Sequence, residues 1–326
     1  MNKKSILILL LLANSFAVIS GQNTPTIHMV GSVYRTDSYS SVSAWKNGVL
    51  TKGNTKGHDR SYATSIFVKG DDVYFAGQEL KFKNNVATYW KNNVAIPLTD
   101  GTYGARANAI TVVGNDVYVA GSENRVAKYW KNGIPVVLSD GKFSAKATAI
   151  VVLGKDVYVA GQDGTAKGYF ATYWKNGVPT YLPKENNQAY ATAIAVVGND
   201  VYVSGVDSNN NKTDIAKYWK NGIATKLEVG KWVKATAIAI NGQDVYVAGR
   251  SGNGATIWKN GVANKLTNDK FPSDANSIFI KGKDVYVGGN ESYGNGSVIK
   301  YWKNGIGTEY SKEKDNATIN GMFIVQ

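Results

Sequence analysis

Ala107-Asn-Ala-Ile-Thr-Val-Val113, Gly114-Asn115, Asp116-Val-Tyr-Val-Ala-Gly121, Val126-Ala-Lys-Tyr-Trp-Lys131, Asn132-Gly133 and Ile134-Pro-Val-Val-Leu138 lie in order along one stretch of chain. The first run is short, apolar and β-branched, as strands are. Gly114-Asn115, with glycine first, suits a type II′ hairpin turn, and Asn132-Gly133 suits type I′, which needs positive φ at both positions. In the return strand Val117 and Val119 alternate with Tyr118 and Ala120, the period of a strand. The stretch therefore predicts four short antiparallel strands, A to D, joined A–B and C–D by tight turns and B–C by a looser loop.

The unit recurs. Trp-Lys-Asn-Gly, with Asn for Gly in the second copy, carries Trp45, Trp90, Trp130, Trp174, Trp219, Trp258 and Trp302, at spacings of 45, 40, 44, 45, 39 and 44 residues. Strand A returns as Ala-Thr-Ala-Ile at 147–150, 191–194 and 235–238, and strand B as Asp-Val-Tyr-Val at 116–119, 156–159, 200–203, 244–247 and 284–287. Four strands per period of about 44 residues describe a propeller blade. Small residues in strand A and aromatic ones in B and C fit wedges that pack closest near an axis. The chain starts with a degenerate strand B, Thr26-Ile-His-Met-Val-Gly31, and ends with Asn320-Gly-Met-Phe-Ile-Val325, which matches strand A in Asn276-Ser-Ile-Phe-Ile280. The fold expected is all-β: a seven-bladed propeller of four-stranded antiparallel blades, closed by pairing of the N- and C-terminal strands.

Lys3 and Lys4 before the apolar run Ile6–Leu12 and the small residues up to Gly21 read as a secretory signal over residues 1–20, with one propeller domain over 22–326. Export to the periplasm, cell surface or medium is expected. The chain has no cysteine, so it holds no disulfide and no lipid-modified Cys, and its length lets it bury a large core without them. No later segment is apolar and long enough to cross a membrane as a helix. Loss of Lys3 and Lys4 changes Lys plus Arg from 37 to 35, and 35 − 24 gives a net charge of +11. Seven of those lysines recur one per repeat, a distribution unlike the clustered footprint of a nucleic-acid binder.

Strand B ends in an aromatic followed by Val-Ala-Gly or, once, Tyr286-Val-Gly-Gly289; a Trp marks an outer strand, and a C-terminal inner strand closes the ring. In these features the chain resembles kelch-type propellers over nearly all of its mature length. It departs from them in carrying the double glycine once and in lacking their Glu-to-Tyr spacing. The resemblance implies a scaffold that serves binders and enzymes alike.

Loops B–C and D–A vary while the two turns do not, and both variable loops are expected on one face. There an aromatic recurs in loop D–A (Tyr103, Phe143, Trp232, Phe271), and a position just before strand A holds Tyr62, Arg106, Lys146, Tyr190, Lys234, Asp274 and Thr318. Ligand contacts are expected from Tyr103, Arg106, Phe143, Lys146, Tyr190, Trp232, Lys234 and Phe271: rings for stacking on sugars, cations for carboxylates or sulfates. The function expected is non-catalytic binding of a glycan or protein, anionic ligands included, by a monomer without cofactor or metal. The alternative is a polysaccharide lyase or hydrolase using His58, Arg60 and Tyr62 of Lys56-Gly-His-Asp-Arg-Ser-Tyr62, where His58 offers a general base. A structural envelope or adhesion component is a third reading. The repeated Asp is assigned to turn chemistry, the Trp to packing, the Lys to a soluble outer rim, and His28 to packing. Asp207–Asp214 looks like the start of a calcium loop but lacks its glycine and terminal Glu.

Overall fold

A computed structural model describes residues 24–325 except 35–39, 53–60, 82, 210–212, 295 and 312–315. It has seven sheets of four antiparallel strands. Six are continuous in sequence, at 61–97, 105–137, 146–181, 188–230, 234–265 and 273–309, here blades 2 to 7. Blade 1 is composite: Ala317–Val325 pairs with Thr26–Tyr34, which pairs with Ser40–Lys46 and then Val49–Lys52. Thr26 lies opposite Val325 and Val33 opposite Ala317, so the expected closure of the ring is present. The A strands of adjacent blades touch in an unbroken cycle, which puts A innermost.

The turns have the geometry their sequences demand. Asn132 and Gly133 both have positive φ, at 51° and 82°, whereas in the A–B turn Gly114 alone does, at 57°. The Asn side chain adds a second tie: Val117 N–H donates to Asn132 Oδ1 at 2.8 Å, and every other blade repeats this bond.

Each A strand carries one extra residue, where its pairing with strand B shifts register. In blade 3 the shift falls between Ala107 and Ala109 and leaves Asn108 unpaired in the ladder. The extra residue points its side chain to the next blade. Thr64 donates to Ala107 O at 2.8 Å, Asn108 to Ala147 O at 2.6 Å, Thr148 to Ala191 O at 2.9 Å and Thr192 to Ala235 O at 2.8 Å. Thr236 donates to Ala275 O, Asn276 to Ile319 O at 2.8 Å, and Asn320 returns to Ala63 O at 2.7 Å. Seven bonds thus form a closed ring around the axis. Breaking one with Thr148→Val is expected to lower stability by about 1 kcal/mol, the net worth of such a bond, read as a lower urea midpoint at unchanged slope.

The core fills the gaps between blades, graded in size from the axis outwards. The ring of Ala63, Ala107, Ala147, Ala191, Ala235 and Ala275, completed in blade 1 by Ile319, is buried at the inner strand, and all seven repeat tryptophans are buried further out. Seven sugar platforms are therefore excluded, and the packing role stands. Tyr310, past the last strand of blade 7, donates its hydroxyl to Ile27 O at 2.7 Å, and burial pushes that phenol up to about 12.

The turn assignment of the repeated Asp proves incomplete, and so does the soluble-rim assignment of the Lys. In blades 2 to 7 the Asp carboxylate takes the repeat Lys at 2.7–2.9 Å and the repeat Asn Nδ2 at 2.7–2.8 Å. The same Lys lies 5.2–5.5 Å from the centre of the Tyr ring two residues beyond the Asp. The Lys ammonium holds each of these carboxyls below the usual range. Asp, Tyr, Lys and Asn are one module that pins hairpin A–B to hairpin C–D.

Candidate functional site

Because the A–B and C–D turns share one face, the variable B–C and D–A loops share the other. Tyr62, Arg106, Lys146, Tyr190, Lys234, Asp274 and Thr318 sit at one register position, opposite Gln78, Ser122, Gln162, Val206, Arg250, Asn290 and Ser32. They lie inside strand A at its loop-face end rather than just before it, so they ring the mouth of the axis. A cavity of about 540 Å³ opens there, lined by Tyr62, Arg106, Thr64, Asn108 and Asn320. Its floor is thus part of the hydrogen-bonded ring.

The charge around this mouth is uneven. Lys234 is neutralised by Asp274 at 2.8 Å, with Arg250 at 3.9 Å from the same oxygen, so Lys234 is not open to a ligand in the way the sequence suggested. Arg106 and Lys146 are different. Among the described residues neither has an ion-pair partner, and Lys146 is pushed below the usual lysine range by burial and then by the Arg106 charge. The two occupy equivalent positions on neighbouring blades, and an anion bound beside them would relieve their mutual repulsion. Tyr190 flanks them, 5.9 Å from Tyr169 centre to centre.

Three of the four loop aromatics face solvent. Tyr103, Phe143 and Trp232 are exposed, and Phe271 leans on Tyr293 at 4.9 Å. Trp232 is 70% exposed and holds a left-handed φ of 61°, with the Arg250 guanidinium 5.9 Å from its ring. Bulky residues avoid that conformation, so the loop holds Trp232 at a cost in backbone strain. His58 and Arg60 lie outside the described residues; Tyr62 lines the mouth.

No protein-family model matches this chain, and no curated protein matches it. Similarity appears among solved structures. The hydrazine synthase of Kuenenia stuttgartiensis superposes with a TM-score of 0.51 at 10% identity, over 92% of this chain and 46% of that one. A puromycin-hydrolyzing peptidase of Mycobacterium tuberculosis gives 0.46 at 11% identity, over 77% and 53%. The GH43 protein BlXynB of Bacillus licheniformis gives 0.36 at 11% identity, over 87% and 80%. The chain spans about half the length of the first two, 46% and 53%. At such identities the likeness is one of fold.

Residues missed in the sequence emerge from comparing blades. Two positions past the strand B glycine stand Glu123, Asp207 and Glu291, each paired with a strand C lysine: Lys128 at 2.7 Å, Lys217 at 2.8 Å, and Lys300. Asp207 is fully buried and also accepts from the backbone of Glu185 and Asn186, so it is a structural anchor and its carboxylate is not open to calcium. In blade 4 the same acid position is Asp163, but the lysine position is Thr172. Asp163 accepts from the Tyr181 hydroxyl at 3.0 Å. Burial pushes its carboxyl up, and the Asp140 charge adds to the rise. Asp140 is held low by the Lys142 backbone N–H at 3.0 Å. The signal was in the sequence: an acid at that spacing without its lysine. It becomes readable only once the pairing across strands B and C is known.

Proposed function

We propose that this chain is an exported, monomeric propeller of kelch-like type that binds an anionic glycan at the loop-face mouth. The observation that carries the reading is Arg106 and Lys146, cations at equivalent positions on neighbouring blades with no ion-pair partner among the described residues, flanked in the ring by Tyr62 and Tyr190. Arg106 offers a planar fork and Lys146 a point charge to uronate or sulfate groups. The tyrosines offer ring faces and hydroxyls to the sugar. Trp232 and the other exposed aromatics extend the surface outward.

The test is a glycan array and calorimetry with uronate-containing and sulfated oligosaccharides. Arg106→Ala with Lys146→Ala is expected to weaken binding by at least about tenfold, the loss of one or two charge-assisted contacts. Melting should stay level or rise slightly, because the two cations repel. Equal binding by the double variant, or no binding by the wild type, removes the proposal.

A carbohydrate-active enzyme on the same face is the second reading, favoured by one observation. The Asp163 carboxyl is raised by burial and held by the Tyr181 hydroxyl at 3.0 Å, a setting that suits a general acid. New reducing or unsaturated ends after incubation with the bound polysaccharide, lost in Asp163→Asn, would replace the binding reading with this one.

A further inference from the structure

The repeat module is broken in one blade only. At the positions where blades 2 to 7 have Asp and Tyr, blade 1 has Thr26 and His28; the lysine and asparagine remain, as Lys46 and Asn47. The register confirms the equivalence: His28 lies opposite Lys46 as Tyr118 lies opposite Lys131. In the other blades the Tyr packs against strands A and B of the following blade, Tyr118 against Ile150 and Val157 for example. His28 is smaller and faces Ile66 and Val73 of blade 2. Together they line a cavity of about 650 Å³ between blades 1 and 2, within the range of small-molecule sites.

The wall of the cavity is apolar: Ile66, Val68, Val73 and Phe75, the last stacked on Trp90 at 5.1 Å. Its polar edge holds Thr26, His28 and Lys46, with Asp71 and Asn92 from the turns of blade 2. Among the described residues Lys46 has neither the carboxylate nor the tyrosine ring that the equivalent lysine has in every other blade. His28 is buried and kept neutral by desolvation and by the Lys46 charge, so it presents a hydrogen-bonding imidazole rather than a second cation.

We propose that this cleft binds a small aromatic carboxylate, which supplies to Lys46 the carboxylate and ring that blade 1 lacks. In five of the complete modules the Tyr hydroxyl and the Asp carboxylate are 3.2–3.4 Å apart. One molecule with a carboxylate on, or one carbon from, an aromatic ring spans both positions. Its ring lies against Val73 and Phe75, and its carboxylate pairs with Lys46. The cleft sits on the turn face, away from the loop-face mouth, so it is a separate site and does not rest on the glycan reading.

The experiment is titration of the full chain with benzoate, phenylacetate and 4-hydroxyphenylacetate, by calorimetry and thermal shift, with phenylacetamide as the neutral control. At least one acid is expected to bind and the amide at least about tenfold more weakly. Lys46→Ala, at an exposed side chain, should weaken the acid by about tenfold. Thr26→Asp with His28→Tyr rebuilds the module found in six blades and should abolish binding while raising the melting temperature. Arg106→Ala with Lys146→Ala should bind the acid as the wild type does. Silence from all three acids overturns the proposal, as does unchanged affinity in either the Lys46 or the rebuilt variant. Loss of acid binding in the Arg106/Lys146 variant also overturns it, by moving the site to the loop face.

Discussion

Removal of Asn320–Gln326 is expected to cost the protein its cooperative fold. These residues hold most of the strand that completes blade 1, including Met322 and Ile324, both buried between blades. Losing two such side chains costs about 4–10 kcal/mol at the usual 2–5 each, and whole domains are stable by only about 5–15 kcal/mol. The deletion also opens the ring of hydrogen bonds at Asn320 and leaves the edge of Thr26–Val30 unpaired, an invitation to association. Circular dichroism and size exclusion should show lost melting cooperativity and larger species. Deleting Asn210–Lys212 from the connection between Ser208 and Asp214 is the control, since it leaves a two-residue link between paired strands and should shift melting little. A truncated chain that melts like the wild type would mean that the closure is dispensable.

Gly161→Ala is expected to destabilise by about 3 kcal/mol or more, at the upper end of overpacking. At an unstrained strand position the same change would stabilise by about 0.4–1 kcal/mol through the unfolded chain. Here a Cβ would stand 2.0 Å from Lys146 O and 2.9 Å from Ala147 Cα, and backbone atoms in a ladder cannot step aside. The bulge in strand A is what brings that carbonyl so close, and the equivalent glycines of the other blades meet the same carbonyl at 1.8–2.1 Å. Gly104→Ala, with nothing within 4 Å and no positive φ, should stay within about 0.5 kcal/mol. Equal urea midpoints for the two variants would show that the bulge yields.

This contact also gives a local reason for the Gly inside every strand B, the residue on which the kelch likeness partly rests. Gly289 of the double glycine is required by the bulge, since its Cβ would meet Asp274 O at 2.0 Å. Its neighbour Gly288 occupies the place of an alanine in blades 2, 3, 4 and 6 and meets only side chains of the closing strand, at 3.2 Å or more. A motif can thus be shared because the backbone geometry is shared.

Strand count, turn types, blade number and closure were legible in the linear sequence because each is a local or periodic property. An Asn-Gly turn requires positive φ wherever it stands, and a unit repeated seven times reports its own boundaries. The extra residue of strand A was hidden, because Thr148 in Ala-Thr-Ala-Ile reads as an ordinary alternating position until strand B is laid beside it. The loop-face ring was legible as a column of residues, but its electrostatics were not. Whether Lys234 is neutralised by Asp274 while Arg106 and Lys146 are left together depends on distances between blades some 40 residues apart in sequence. The blade 1 cleft lay between these cases. Thr26 and His28 were visible departures from a pattern, but only packing against the next blade showed that they line a cavity. Periodicity determined the scaffold, because backbone geometry repeats with the residues that impose it. Tertiary structure decided where charges and spaces are left unmatched, because matching is a property of pairs that no single position records.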